Sequence, residues 1–125
     1  MSQNILTGSR EYFPNVNKIV YEGPESANPL AFKFYNEDRI VAGKSMYEHF
    51  RFSVAYWHTF CGTGGDPFGP GTKQFPWDES ADPMQASFDR LDAAFEFFTK
   101  LGVPFYCFHD RDIAPEGSSV ENSER

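Results

Sequence analysis

The chain has 125 residues and a net charge of −7. This length suits one modest domain, and the acidity disfavours nucleic acid and anionic membranes as main partners. No run approaches the roughly 18 apolar residues of a membrane span, and residues 1–7 lack the pattern of a secretory signal. Cys61 and Cys107 lack the C-x-x-C spacing of a zinc site, which favours reduced, buried thiols in a cytoplasmic protein.

The N-terminal third is expected to be largely irregular. Proline and glycine interrupt residues 1–31, although residues 18–21 could form a short strand. Residues 44–50 suit a short helix after the break at Gly43, and His49 on this helix is expected at the surface.

Residues 52–60 are rich in aromatic and β-branched side chains, which predicts a buried strand. As neighbours on a strand, Trp57 and His58 should face opposite ways, and His58 is expected to be a satisfied core histidine. Residues 62–78 then form a long loop rich in glycine and proline that carries Phe68. Such a loop is typical of functional segments, and its aromatic tip is expected to be buried against something else.

The strongest helical pattern covers residues 83–101. Asp82 suits the N-cap, Pro83 the first helical position and Gln85 the reciprocal capping position, and Gly102 suits the end. Apolar residues recur at intervals of three and four and predict one buried stripe, made of Met84, Phe88, Leu91, Phe95 and Phe98.

Residues 103–108 are almost continuously apolar, which predicts a second buried strand. The order strand, loop, helix, strand predicts an α/β fold with one right-handed βαβ unit and two parallel strands. Because two strands do not enclose a core, we expect the chain to be part of a larger fold. An active site in such a fold lies beyond the C-terminal ends of the strands, where His109 follows the second strand.

His109 and Asp112 have the chemistry of a general base and its orienting carboxylate. Because residues i and i+3 of a strand face opposite ways, the two can meet only if the chain curls just after His109. On spacing alone, a solvated histidine beside ordinary loop acids remains the simpler interpretation. His109 with Asp110, Asp112 and Glu116 fits no standard cation loop, and no glycine-rich segment has the order of a nucleotide-binding loop.

Five motifs in order resemble the N-terminal part of xylose isomerase, in its class with the longer N-terminus. The resemblance runs from about residue 20 to residue 117. The motifs are NPLAF at 28–32, YWHTFC at 56–61, AFEFF at 94–98, VPFYCFHD at 103–110 and PEG at 115–117.

The resemblance implies a partial (β/α)8 TIM barrel, a fold that takes roughly 250 residues when complete. Residues 1–51 are then an N-terminal extension with a short helix, and residues 52–125 supply the first two strands and the intervening helix. The rest of the barrel is expected from a complementary C-terminal segment outside this chain, without which the chain is expected to be inactive.

The implied activity is a metal-dependent aldose–ketose isomerisation of D-xylose and D-xylulose, and of glucose and fructose, by ring opening and a hydride shift. By resemblance, His109 helps to open the cyclic sugar, Asp112 holds His109, and Trp57 lines the site of the hydride shift. Phe68 matches an aromatic residue that a loop inserts into the active site of a neighbouring subunit.

The resemblance also implies two divalent cations, Mg, Mn or Co, whose ligands are expected outside this chain, so that no metal ligand is assigned within it. The implied assembly is a homotetramer in the cytoplasm, acting on a small-molecule sugar. One alternative is a non-catalytic sugar-binding or scaffold barrel fragment. Another metal-dependent barrel, such as a sugar epimerase or a phosphate-ester nuclease, is disfavoured by the YWHTF and FHDRD motifs together.

Overall fold

A computed structural model describes residues 4–124 as a mixed α/β structure of short strands and helices. In chain order, the elements are β1 (Ile40–Val41), β2 (Lys44–Ser45), α1 (Met46–Phe50), β3 (Ser53–Ala55), α2 (Tyr56–Phe60), a 3₁₀ turn (Pro76–Asp78), α3 (Pro83–Leu101), β4 (Phe105–Cys107), α4 (Asp110–Ile113) and α5 (Val120–Ser123). No helix within these described residues is long and apolar enough to cross a membrane.

The N-terminal third is mostly irregular, as expected. The strand predicted at 18–21 is absent, and Tyr21 instead makes an isolated parallel bridge with Phe32. Strands β1 and β2 form an antiparallel hairpin that leads into α1. The start of α1 is fixed by reciprocal hydrogen bonds, because Glu48 N–H donates to Ser45 Oγ (3.2 Å) and Ser45 N–H donates to Glu48 Oε2 (2.8 Å).

Strands β3 and β4 pair in parallel, as the βαβ prediction requires. Ser53 lies opposite Phe105 and Ala55 opposite Cys107, and α3 lies between the two strands in the chain. The pairing brings the C-terminal ends of both strands to the same edge, so the segments that follow them, α2 and α4, begin side by side.

The strand predicted at 52–60 is wrong in its second half, because residues from Tyr56 onward form helix α2. A strand would place Tyr56, His58 and Phe60 on one face, whereas the helix buries Tyr56 and Phe60 and turns His58 to solvent. The hydroxyl of Thr59 donates to Ala55 O (3.0 Å) within this turn. His58 is therefore not the core histidine that the strand prediction implied.

Helix α3 has the predicted bounds and the predicted ends. The Asp82 carboxylate accepts from Met84 N–H (3.2 Å), and Gly102 ends the helix with a positive φ of 74°. The reciprocal capping role expected of Gln85 is wrong, since the Gln85 side chain donates to Asp89 Oδ1 (2.9 Å) instead.

Only the C-terminal half of the predicted apolar stripe on α3 is covered. Phe98 is buried and Leu91 and Phe95 pack against the core, whereas Met84 and Phe88 are exposed. The core itself lies between α2, α3 and the 3₁₀ turn and consists of Tyr56, Phe60, Trp77, Ala93, Ala94 and Phe98.

Strand β4 is exposed, contrary to the prediction of a strand buried on both faces. Phe105, Tyr106 and Phe108 all keep a large part of their surface accessible, and Cys107 is exposed as well. The reason is that β3 is the one strand paired with β4 within residues 4–124, so most of β4 has no covering element there. Cys61 is half-buried, and both cysteines are free thiols.

Candidate active site

The structure brings His109 and Asp112 into contact. His109 Nδ1 lies 3.1 Å from Asp112 Oδ2, and the same oxygen accepts from the His109 backbone N–H at 2.7 Å. The contact forms because α4 begins immediately after His109, so the chain curls where the sequence argument required it. The geometric condition for the pair is thereby met.

The two partners of this pair differ in exposure. The Asp112 side chain is 13% exposed, whereas the His109 side chain is 66% exposed. A proton on Nδ1 satisfies the contact with the carboxylate and leaves the lone pair of Nε2 available to accept a proton. The Asp112 carboxylate thus contacts Nδ1 on one side of the imidazole, and the edge that carries Nε2 is open to solvent.

Trp57 completes the cluster at the ends of the strands. Its ring centroid lies 4.5 Å from that of His109, with the two ring planes inclined by 45°. Helix α2 places Trp57 here directly after β3, just as α4 places Asp112 directly after β4. Three of the four residues that sequence analysis assigned to a site, Trp57, His109 and Asp112, therefore lie together.

Phe68 is the fourth, and its surroundings within the described chain are different. It is 96% exposed at the tip of a tight turn, whose backbone is bridged between Asp66 and Gly69. Asp66 Oδ1 accepts from the N–H groups of Phe68 (2.8 Å) and Gly69 (3.1 Å). The turn thus holds the Phe68 side chain away from this chain, and the expected burial of the tip is not provided by residues 4–124.

Sequence reasoning missed Arg90, which lies directly behind Asp112. Arg90 Nη1 donates to the Asp112 carbonyl oxygen and Nη2 donates to Asp78 Oδ1, both at 3.3 Å. The available signal was weak: Arg90 lies one helical turn before the buried Ala94 and so faces inward on α3.

The motif AFEFF also concealed a buried charge. Glu96 is fully buried and accepts from the backbone N–H groups of Tyr12 and Phe13, both at 2.8 Å, and from Lys100 Nζ at 3.0 Å. Burial by itself raises the pKa of Glu96, but these donors outweigh it and the pKa is lowered. This cluster anchors the N-terminal segment to α3, away from the His109 pair.

No group of three or more His, Cys, Asp or Glu side chains within residues 4–124 is arranged to hold a metal ion. The acidic neighbours of His109 are engaged locally, since Asp110 Oδ1 accepts from Arg111 N–H at 2.9 Å. The described residues thus do not fit a metal centre of their own.

Comparison with known proteins gives a consistent set of relatives, although no protein-family model matches the sequence. The chain is 63% identical over 115 residues to the xylose isomerase of Caldanaerobacter subterraneus subsp. yonseiensis, covering 92% of the chain and 26% of that protein. It is 56% identical over 124 residues to xylose isomerase 1 of Xanthomonas campestris pv. campestris, covering 99% of the chain and 28% of that protein.

A third relative, the xylose isomerase of Xanthomonas oryzae pv. oryzae, is 53% identical over 124 residues. The chain thus spans about a quarter of the length of the curated relatives it matches, as expected for an N-terminal segment. Similarity of this degree over nearly every residue confirms the resemblance that the motifs carry: the chain is similar to about a quarter of the length of proteins named xylose isomerase.

Proposed function

We propose that this chain is the N-terminal segment of an aldose–ketose isomerase that interconverts D-xylose and D-xylulose, and also glucose and fructose. The observation that carries the proposal is the 3.1 Å contact of His109 with Asp112 at the ends of β3 and β4, in a chain 53–63% identical to proteins named xylose isomerase. The exposed edge of His109 gives a cyclic sugar access to Nε2.

In the proposed ring opening, the anomeric hydroxyl of the sugar gives its proton to His109 Nε2. The bond between C1 and the ring oxygen breaks, and the ring oxygen receives a proton from the imidazolium, so the histidine returns to its starting state. The Asp112 carboxylate keeps the second proton on Nδ1 and stabilises the imidazolium that forms in between. Trp57, whose ring packs beside His109, provides an apolar wall next to the carbons that then exchange a hydride.

We propose that β3 and β4 are the first two strands of a (β/α)8 barrel and that residues 1–51 are an extension outside it. The exposure of β4, together with that of Met84 and Phe88 on α3, supports this proposal, because apolar surfaces of this kind are stabilised by burial. The remaining strands would come from the part of the relatives that this chain does not match.

Two divalent cations belong to the proposed activity, and when bound they polarise the sugar oxygens during the hydride shift. Because the described residues do not form a metal centre, we assign the ligands to the complementary segment. No step that we assign to His109, Asp112 or Trp57 involves coordination of a metal by this chain.

Phe68 is proposed to act in a neighbouring subunit of a homotetramer. Its exposure of 96% on a turn fixed by Asp66 supports this, since the side chain has almost no cover within its own described chain. Mixed oligomers of wild-type and Phe68→Ala subunits test the idea. We expect wild-type subunits to lose activity next to Phe68→Ala neighbours, and fully active wild-type subunits in every mixture would contradict it.

The overall function is tested by assembling this chain with the complementary segment of a close relative and measuring conversion of D-xylose to D-xylulose with Mg²⁺ present. We expect turnover in the assembly and none in either segment alone. Replacing His109 by Asn should largely remove this turnover, and His49→Asn is the matched control. His49 is an exposed histidine whose ring contacts Val41 O and not Asp112. A stable assembly that binds sugar without turning it over would favour the non-catalytic alternative.

A further inference from the structure

Helix α4 carries Asp112 but has little to hold it in place by itself. It contains four residues and none of them is buried. A helix this short is not stable alone, and its last carbonyl groups have no partner within the helix. The position of the Asp112 carboxylate therefore depends on what fixes the main chain of α4 from outside.

Ile113 packs against the core from the end of α4, and Arg90 makes the polar attachment at Asp112 itself. Its Nη1 donates to the Asp112 carbonyl oxygen and its Nη2 to the Asp78 carboxylate, each at 3.3 Å. The Arg90 side chain is 21% exposed, so these bonds are shielded from much of the solvent. The planar guanidinium thus connects three elements rigidly: α3, the 3₁₀ turn and α4.

Two polar side chains near Arg90, Tyr56 and Cys61, carry no charge that competes for the guanidinium, although Cys61 hydrogen-bonds to it. Burial raises the pKa values of Tyr56 and Cys61, so both side chains stay neutral near pH 7. Cys61 Sγ also lies 3.8 Å from the Asp112 carbonyl oxygen, on the same acceptor that Arg90 uses. Arg90 and Cys61 therefore both attach to the main chain of Asp112, at its carbonyl oxygen.

We propose that Arg90 is a positioning residue for ring opening. It fixes the main chain of Asp112 and, through the Asp112 carboxylate, the orientation of His109, without touching the sugar itself. The inference rests on the function proposed above and deepens it, because it assigns a role to a residue that no motif marked.

The test uses the assembled enzyme and two aldoses, of which one requires ring opening and the other does not. D-xylose is mainly a closed ring in solution, whereas D-glyceraldehyde has too few carbons to close one and bypasses ring opening. We expect Arg90→Met to lower kcat with D-xylose on the order of tenfold, since misplacing a catalytic group by 1 Å can cost about 10²-fold. Turnover of D-glyceraldehyde should stay unchanged. Arg90→Lys should recover part of the loss, because an ammonium keeps the charge but not the two-pronged geometry.

The control is Arg111→Met, because Arg111 is an arginine on α4 next to Asp112 that is exposed and donates to Pro115 O at 3.3 Å. We expect it to be normal with both sugars. If Arg90→Met fails to assemble, Asp78→Asn tests the role instead, because it weakens the contact that holds Arg90. We expect it to lower kcat by a smaller factor, with D-xylose but not with D-glyceraldehyde. Equal losses with both sugars, or no loss, would overturn the role of Arg90.

His109→Asn separates this inference from the function on which it rests. If His109→Asn distinguishes the two sugars and the Arg90 and Asp78 variants do not, the positioning role is wrong and the proposed function survives. If His109→Asn slows both sugars equally, the proposed ring-opening function fails first.

Discussion

Among residues 4–124, two carboxylates contact a basic side chain three or four positions away, and these two contacts differ in exposure and in number of donors. Glu96 and Lys100, four residues apart on α3, are 0% and 7% exposed in their side chains. Asp112 and His109, three residues apart at the start of α4, are 13% and 66% exposed. Spacing alone therefore does not distinguish the buried pair from the pair to which we assign proton transfer; the two differ in burial and in the number of donors.

Glu96 has no capacity left for chemistry. Its two oxygens accept from Tyr12 N–H, Phe13 N–H and Lys100 Nζ, and Lys100 Nζ also donates to Phe13 O at 2.7 Å and to Glu11 Oε1 at 2.9 Å. Every partner is fixed, so the pair stabilises the fold. The His109 ring, by contrast, is held at one nitrogen and open at the other, which is what proton transfer requires.

Replacing His109, the residue with one ring nitrogen exposed, should give the largest effect on activity. We expect His109→Asn to lower turnover of D-xylose by about 10²–10⁴-fold, the usual contribution of a general base. Thermal stability should change little, since the His109 side chain is 66% exposed. Steady-state kinetics and thermal denaturation of the assembled enzyme measure the two, and a large loss of stability would mean that His109 is structural after all.

Replacing Glu96, the fully buried carboxylate, should affect stability instead of activity. We expect Glu96→Gln to cost about 1–3 kcal/mol, because it removes the buried one of the two carboxylates that bind the Lys100 ammonium and weakens the bonds from the Tyr12 and Phe13 N–H groups, while Glu11 remains. The readout is hydrogen exchange at the Tyr12 and Phe13 amides, which should speed up as this segment detaches from α3. The matched control is Glu79→Gln, which breaks the exposed contact with Arg10 (3.1 Å) and should have almost no effect.

Asp112 has features of both contacts: its side chain is largely shielded from solvent, as that of Glu96 is, but its partner His109 is exposed. We expect Asp112→Asn to lower turnover on the order of 10–100-fold, as for other carboxylates that orient a functional imidazole. The loss should be smaller than that of His109→Asn, because the base remains with a poorer partner. Kinetics of the two variants in parallel check this order, and a larger loss for Asp112→Asn would contradict it.

Sequence patterns predict the parts of the structure that short-range chemistry determines. Helix α3 has its expected bounds because Asp82 and Gly102 cap it locally, and the parallel pairing of β3 with β4 follows from the helix between them. The sequence predicts the contact of His109 with Asp112 only on the condition that the chain curls after His109, and α4 provides that turn.

The parts that sequence patterns mispredict depend on distant residues. Residues 56–60 form a helix because Phe60 packs against Trp77 and α3, contacts that a local alternation of side chains does not reveal. Glu96 is buried because the N-terminal segment returns to it from more than 80 positions away. Arg90 escaped notice for the same reason, since its partner Asp112 belongs to a different element.

The smallest expected effect is the response of the Glu96 contact to acid. The pKa of Glu96 is lowered, because the Tyr12 and Phe13 N–H groups and Lys100 outweigh the effect of burial. A lowered pKa in the folded state adds stability that is complete above the unfolded value of about 4.3 and is lost as the pH falls through the folded pKa.

We therefore expect the protection of the Tyr12 and Phe13 amides, corrected for intrinsic exchange, to stay level from neutral pH to about pH 5 and to fall below about pH 4. In Glu96→Gln the protection should be weak throughout and should lose this acid step, because the amide does not titrate. Glu79→Gln should keep the step, since its contact with Arg10 is exposed. An acid step of full size in Glu96→Gln would assign it to another carboxylate and would remove the charge of Glu96 from the attachment of the N-terminal segment.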